Sequence, residues 1–214
     1  MLVGKRMTPN PITIHHDTPV TEAQALMRRE KVHHLPVVDK RERLVGIVSE
    51  KDLLYASPSP ATSLNVWEVS YLLSKLAVEK VMSAKVVTVT EDTPIEDAAR
   101  IMADHNVGGL PVLRGAQLVG IITESDLFRL FIELFGARHK GTRITLLVPE
   151  QPGELARITS AVAAKGGNII SMGTFLGEDP STSLCTLKVE GIPQAELVAE
   201  LKPLSTRVVD VRDV

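Results

Sequence analysis

Two short stretches hold the residue types from which a ligand site could be built: Gly46-Ile47-Val48-Ser49-Glu50-Lys51-Asp52-Leu53 and Gly120-Ile121-Ile122-Thr123-Glu124-Ser125-Asp126-Leu127. Each runs from a glycine through a β-branched strand to a hydroxyl residue, then to an aspartate, then into apolar helix. Ser49 and Thr123 stand where a helix N-cap belongs, with Asp52 and Asp126 at the third helical position, close to the capping-box pattern. The unpaired N–H groups and positive dipole end of such a helix start can hold an anion such as phosphate. For a single copy, helix capping alone would be a sufficient account. Two copies inside a longer matching frame favour a binding function.

The other reactive residue types form no catalytic or metal pattern. The histidines include the adjacent pairs His15-His16 and His33-His34, and neighbours in extended chain point to opposite faces. No nearby cysteine or carboxylate completes zinc-ligand spacing. Cys185 shares a strand face with Leu187 and Val189 and reads as core. There is no GxxxxGK[ST] loop, no GxGxxG after a strand and no GxSxG elbow. No catalytic residue and no metal is expected, and the chain reads as non-enzymatic.

Charge is nearly balanced, 24 Lys+Arg against 26 Asp+Glu, and neither half shows the one-sided positive field of a nucleic-acid binder. The single cysteine fits a reducing compartment. No apolar run approaches the roughly 20 residues that span a bilayer, and Met1-Leu2-Val3-Gly4-Lys5-Arg6 lacks a signal-peptide pattern. A cytoplasmic protein without nucleic-acid or membrane partners is expected. Its 214 residues suffice for more than one small core.

The two motifs are the ends of an internal repeat. Met7, Thr18, Met27, Leu35, Pro36 and Val37 recur in the same spacing as Met82, Thr93, Met102, Leu110, Pro111 and Val112. One residue is then lost, in the turn that shrinks from Asp39–Arg43 to about Arg114–Gln117. Turns tolerate such a loss, whereas in a strand it would flip every side chain. Each copy begins with a short strand (Pro11–Ile14; Val86–Val89) and a Thr-Pro helix start, with Thr93 and Glu96 as a second capping box. A helix follows with Val20, Ala23 and Met27, or Ile95, Ala98 and Met102, on one face. Two apolar strands around a polar turn then lead to the capped helix. The unit is β-α-β-β-α, and its near-continuous apolar strands imply a sheet covered on both faces.

This frame resembles a tandem pair of CBS domains, over about residues 7–55 and 81–136; with its flanks, unit 1 is residues 1–55 and unit 2 residues 81–136. The most specific part is the doubled glycine-hydrophobe-x-Ser/Thr-x-x-Asp signature together with each Leu-Pro-Val strand. The resemblance implies an adenine nucleotide (AMP, ADP, ATP or a related adenosyl ligand) as regulatory ligand between the units. It assigns the ribose hydroxyls to Asp52 and Asp126 and phosphate to Ser49 and Thr123. It adds polar contacts at Thr13 and Thr88, and adenine docking at the backbone around Pro36 and Pro111. His33-His34 stand where the second unit has Gly108-Gly109. The imidazoles, His34 in particular, could narrow one pocket or touch its phosphates while the diglycine leaves the other open. Two non-equivalent sites are expected.

Residues 56–80 separate the repeats. A Pro/Ser-rich loop over 56–65 precedes a helix with Trp67 and Tyr71 on one face. These aromatics could stack on adenine, but a helix that covers the core or a dimer contact is the favoured reading. The insertion is reminiscent of AcuB-type, acetoin-utilisation accessory proteins, which also carry two CBS units and one more domain.

After an amphipathic helix (128–135) and a polar linker (136–141), residues 142–214 follow β-α-β-β-α-β order, the ferredoxin-like split βαβ unit. Pro152-Gly153-x-Leu155 with Gly167-Asn168-Ile169-Ile170-Ser171 resembles an ACT domain. The resemblance implies amino-acid binding at Glu150, Gly153 and Asn168, although Glu150 replaces the family's usual Asn or Asp. A domain that only dimerises is the alternative. The expected fold is therefore α+β: a CBS-domain pair followed by an ACT domain. The expected function is ligand-sensing regulation by a homodimer, signalling through the ACT domain or the dimer interface. A non-binding adaptor, or an accessory subunit of an acetoin or acetyl-CoA enzyme, is the alternative.

Overall fold

The repeat is built twice in space, and each copy is completed by residues that precede the other. In a computed structural model, which describes residues 1–56 and 65–214, the chain divides into two compact units, Met1–Leu127 and Phe128–Val214. The expected Pro/Ser-rich loop lies, apart from its ends, outside the described residues.

In the first unit, β1 (Thr8–Pro9) precedes β2 (Ile14–His15), α1 (Val20–Glu30), β3 (His34–Val38), β4 (Leu44–Ser49) and α2 (Glu50–Tyr55). α3 (Val66–Lys75) leads to the second copy: β5 (Val89–Thr90), α4 (Ile95–His105), β6 (Gly109–Arg114), β7 (Gln117–Thr123) and α5 (Glu124–Leu134). One sheet has the order β2-β3-β4 and the other β1-β7-β6-β5. Parallel β2/β3 and β5/β6 pairs and antiparallel β3/β4 and β6/β7 hairpins repeat the same pattern.

The exchange is reciprocal. Thr8 and Pro9 pair with Ile121 and Gly120 of the second copy, while Ser83, just ahead of the second copy, bridges to Ile47 of the first. The Val20 N–H donates to the Leu76 carbonyl and the Ile95 N–H to the Met1 carbonyl, at 2.8 and 3.0 Å. The repeated glycines have the same origin. A Cβ on Gly46 would stand 2.3 Å from the Met82 sulfur, and one on Gly120 would stand 2.3 Å from the Met7 sulfur. Each methionine thus occupies the space that a side chain would need in the opposite repeat.

Two sequence expectations shift. The leading strands are shorter than Pro11–Ile14 and Val86–Val89, because only their last residues reach the parallel partner. The helices α1 and α4 begin after Pro19 and Pro94, with no side-chain cap. Thr93 does not close a box with Glu96; its Oγ1 accepts the Thr90 N–H at 3.1 Å.

The core of the first copy gathers Ile14, Val20, Ala23, Met27, Leu35, Val37, Val48 and Leu53, with Val78 from the segment after α3. Leu73 and Leu76 pack on this core, whereas Trp67 is 85% exposed and Tyr71 64%. The helix therefore covers the core with its leucine side and leaves the aromatics outside.

In the second unit, β8 (Thr142–Pro149), α6 (Glu154–Ala164), β9 (Asn168–Leu176), β10 (Thr182–Glu190), α7 (Gln194–Leu201) and β11 (Arg207–Asp213) form an antiparallel sheet of order β11-β8-β10-β9. Ile144, Leu146, Val148, Cys185, Leu187 and Val189 meet Ile158, Val162, Leu197 and Leu201 in its core. This is the expected β-α-β-β-α-β order, with Cys185 buried in the core and its thiol pKa pushed up by burial. By packing, residues 128–141 go with this unit rather than with the repeat. Phe135 stacks on Phe175 at 6.0 Å between centroids. The buried Lys188 ammonium donates to the Gly136 and His139 carbonyls at 2.8 and 2.9 Å. The expected linker is a turn fastened to β10.

Candidate functional site

Each strand-to-helix junction closes on itself. The Ser49 N–H and hydroxyl both donate to Asp52 Oδ2, at 2.8 and 2.7 Å, and Ser49 Oγ accepts the Asp52 N–H at 3.2 Å. In the second copy the Thr123 N–H and hydroxyl donate to Asp126 Oδ2 at 2.9 and 2.8 Å. In both, one carboxylate oxygen is committed to the helix start and the other, Oδ1, takes no part in these bonds. The hydroxyls are spent on the carboxylates, so Ser49 and Thr123 stiffen the aspartates before they meet anything else.

Around the first junction lies a cavity of about 760 Å³ drawn from both repeats. The first repeat contributes His33, His34, Ser49, Glu50, Lys51, Asp52 and Tyr55; the second contributes Val87, Met102, Asn106, Val107, Gly108, Gly109 and Glu124, with Ser83 and Lys85 from the segment before it. That volume falls within the range of small-molecule and cofactor sites. Of the residues expected at a nucleotide site, His34, Ser49 and Asp52 line it. Thr13, Pro36, Thr88, Pro111, Thr123 and Asp126 are not among its lining residues. Thr13 and Thr88 sit just ahead of β2 and β5, half-buried; Pro36 and Pro111 lie within β3 and β6.

The His34 ring settles the role of the diglycine. A Cβ on Gly109 would stand 3.2 Å from His34 Cγ, and one on Gly108 would stand 3.2 Å from His34 Cε1 and Nε2. His34 and Gly109 hold the same place in the two repeats, so the equivalent positions face one another. The imidazole occupies the space that a side chain on either glycine would need, and ring and glycines together line the cavity. Burial lowers the pKa of His34; the charges of Glu124 and Asp52 oppose this and His33 adds to it. The ring therefore tends to stay neutral near pH 7. His33 is exposed and holds Glu50, with Nδ1 2.7 Å from Oε2. His16 Nδ1 meets Glu79 Oε2 at 3.0 Å.

Lys85, Val87, Asn106 and Glu124 were not singled out from sequence. A signal for the last was present: Glu124 repeats Glu50, and its neighbour across the strand pair is glycine where Glu50 has histidine.

The second unit has its own, smaller cavity of about 330 Å³ at the turn from β8 into α6. Glu150 and Gly153 line it, together with Gln151, Glu154, Thr174 and Ser183. Gly153 has φ +96° at the helix start, a conformation that glycine adopts without strain. Glu150 accepts a hydrogen bond from the Ser183 hydroxyl. The buried Glu154 is held by Gln151 and Arg157 at 2.8 and 2.9 Å, contacts that keep its pKa below the usual carboxylate value. Asn168 lies elsewhere, donating to Glu190 at 2.7 Å, and does not line this cavity.

Among the described residues no helix is long and apolar enough to cross a membrane. The CBS-domain family model matches residues 3–59 and 78–133, and that of the TTHA0829-like ACT domain matches residues 140–212. A CBS domain-containing protein of Dictyostelium discoideum is 36% identical over 135 residues, 63% of this chain and 93% of the relative. L-aspartate semialdehyde sulfurtransferase of Methanocaldococcus jannaschii is 31% identical over 61% of this chain, but the match spans only 23% of that enzyme. Among solved structures, the CBS domain pair of protein MJ0100 in complex with 5'-methylthioadenosine and S-adenosyl-L-methionine is 30% identical. Its TM-score is 0.52 over 65% of this chain and 98% of that one. A putative acetoin utilization protein (AcuB) of Vibrio cholerae is 33% identical, with TM-score 0.53 over 64% of this chain and 95% of its own. CBSX2 in complex with AMP is 32% identical, with TM-score 0.50 over 61% of this chain and 96% of its own.

Proposed function

Because the chain belongs to the CBS-domain family, with a TTHA0829-like ACT domain behind the CBS pair, we propose that it is a non-enzymatic regulatory protein that binds an adenosyl ligand between its two CBS units. The observation that carries this reading is Asp52. Its carboxylate is fixed by the Ser49 capping box and lines a cavity of about 760 Å³ to which both repeats contribute. A carboxylate oxygen outside the box suits a pair of ribose hydroxyls, and the α2 start adds a positive backbone field. Similar CBS pairs carry AMP or S-adenosylmethionine in their crystal structures. Asp126 and Thr123 repeat the local geometry and form the candidate second site.

Binding acts as a signal if the ligand favours one arrangement of the CBS units over another. The chain runs from the CBS pair into the ACT domain through α5, and the proposed output is a ligand-dependent change in that domain or in a homodimer. Glu150 and Gly153 are the proposed contacts for an amino acid at the ACT cavity.

The test is calorimetric titration with AMP, ADP, ATP, 5'-methylthioadenosine and S-adenosylmethionine on the wild type, Asp52→Asn and Asp126→Asn. A Kd on the order of 10 μM for one of them, weakened about tenfold or more in Asp52→Asn and little in Asp126→Asn, is the expected result. No binding across the panel overturns the reading and leaves a dimeric adaptor.

A further inference from the structure

Both repeats place a glutamate at the start of the capped helix, Glu50 in the first and Glu124 in the second, and they treat it differently. The backbone setting is shared: the Glu50 N–H donates to the His33 carbonyl at 2.9 Å and the Glu124 N–H to the Gly108 carbonyl at 3.1 Å. In the first repeat the His33 ring meets the Glu50 carboxylate. In the second that position is glycine. Among the described residues the Glu124 carboxylate has no hydrogen-bond or ion-pair partner. Its Oε2 lies 3.2 Å from where a Gly108 Cβ would stand, the same distance as His34 Nε2, and Glu124 lines the large cavity.

The surroundings do little to neutralise it. His34 is its electrostatic neighbour, yet burial holds that imidazole towards the neutral form. Three carboxylates line the cavity, those of Glu50, Asp52 and Glu124, against the ammonium groups of Lys51 and Lys85. Lys51 lies 5.7 Å from the centre of the Tyr55 ring. Among the described residues, only Glu50 of the three has an ion-pair partner, His33. Glu124 is exposed at the cavity wall, so its charge acts on a group seated directly beside it and is screened over longer distances.

We propose that Glu124 selects the ligand, making the cavity favour an adenosyl compound with a positive charge on its 5' side, a sulfonium or an ammonium, over a 5'-phosphate. The inference rests on the adenosyl-binding reading above. Asp52 serves the ribose, which every adenosyl ligand has; Glu124 serves the part in which they differ.

The experiment compares S-adenosylmethionine, the uncharged thioether 5'-methylthioadenosine, AMP and ATP on the full chain and on Glu124→Gln, with Mg²⁺ and with EDTA. The wild type is expected to bind S-adenosylmethionine about tenfold or more tightly than AMP. The variant should narrow that ratio by about tenfold while changing 5'-methylthioadenosine affinity by no more than about twofold. Retained 5'-methylthioadenosine binding shows that the variant keeps its cavity. Two results overturn the inference and leave adenosyl binding standing: AMP or ATP binding as tightly as S-adenosylmethionine, with or without Mg²⁺, or a ratio unchanged in Glu124→Gln. Failure of all four ligands overturns the adenosyl reading and this inference with it.

Discussion

The two CBS repeats share a fold, a capping geometry and a core, and differ where they face each other. Bond lengths at Ser49–Asp52 and Thr123–Asp126 agree to within 0.1 Å. Yet His34 on one side opposes both Gly108 and Gly109 on the other, and His33 holds Glu50 of its own repeat, so the two sides contribute different groups to the cavity. A local motif fixes how a carboxylate is held; the residue across the interface between the repeats fixes what it can meet. Equal motifs therefore do not make equal sites.

The largest effect should fall where the repeats are alike. Leu35 and Leu110 are equivalent and both fully buried, so Leu35→Ala and Leu110→Ala should each destabilise the CBS pair by about 2–5 kcal/mol in urea unfolding. A cost confined to one of them would mean that the repeats do not share the load. A smaller effect should come from filling the bed of the imidazole. Gly109→Val should cost about 1–3 kcal/mol through overpacking against His34, and His34→Gly should restore most of it in a double-mutant cycle. Additive costs would show that the ring does not fill the space over the diglycine.

Acid should sharpen the contrast further. His34 has its folded pKa below the usual imidazole value of about 6.5. The unfolded chain then takes up the proton more readily, so stability is full above that value and is lost as pH falls through it towards the folded pKa. Burial is the main cause; Glu124 and Asp52 oppose it and His33 reinforces it. The melting temperature should drop between pH 7.5 and 5.5 by about 2–4 °C more in the wild type than in His34→Asn. The second repeat has no counterpart to this group. The smallest effect belongs to the exposed His33–Glu50 pair: His33→Ala should move the melting temperature by about 2 °C or less. A larger shift would make that pair structural rather than a surface contact.

The order of elements was legible in the sequence because it rests on periodicity and repetition. Leu-Pro-Val strands, capped helices and the split βαβ pattern each have a local cause. The capping of α2 by Ser49 and Asp52 was legible for the same reason. Glu124 and the seat of His34 were not, since their meaning lies in a contact between repeats separated by about a third of the chain. The exchange of leading segments was equally hidden: Met7 and Met82 recur visibly, but only the fold reveals that each one sits on the other repeat's glycine. Asn168 is the opposite case. A family pattern placed it at the amino-acid site, whereas its own side chain is held by Glu190 at the beginning of β9.

The exchange gives the amino terminus an unexpected address. Val3, Met7 and Thr8 complete the second repeat, not the first to which they are joined. Trimming those residues, or fusing a bulky tag against them, would injure the far half of the pair and spare the near one. By the same token a single repeat expressed alone would carry an arm with nowhere to go except another copy. The pair is in this sense a dimer written on one chain, and duplication with fusion of a half-sized ancestor would produce its crossed pattern without any rearrangement.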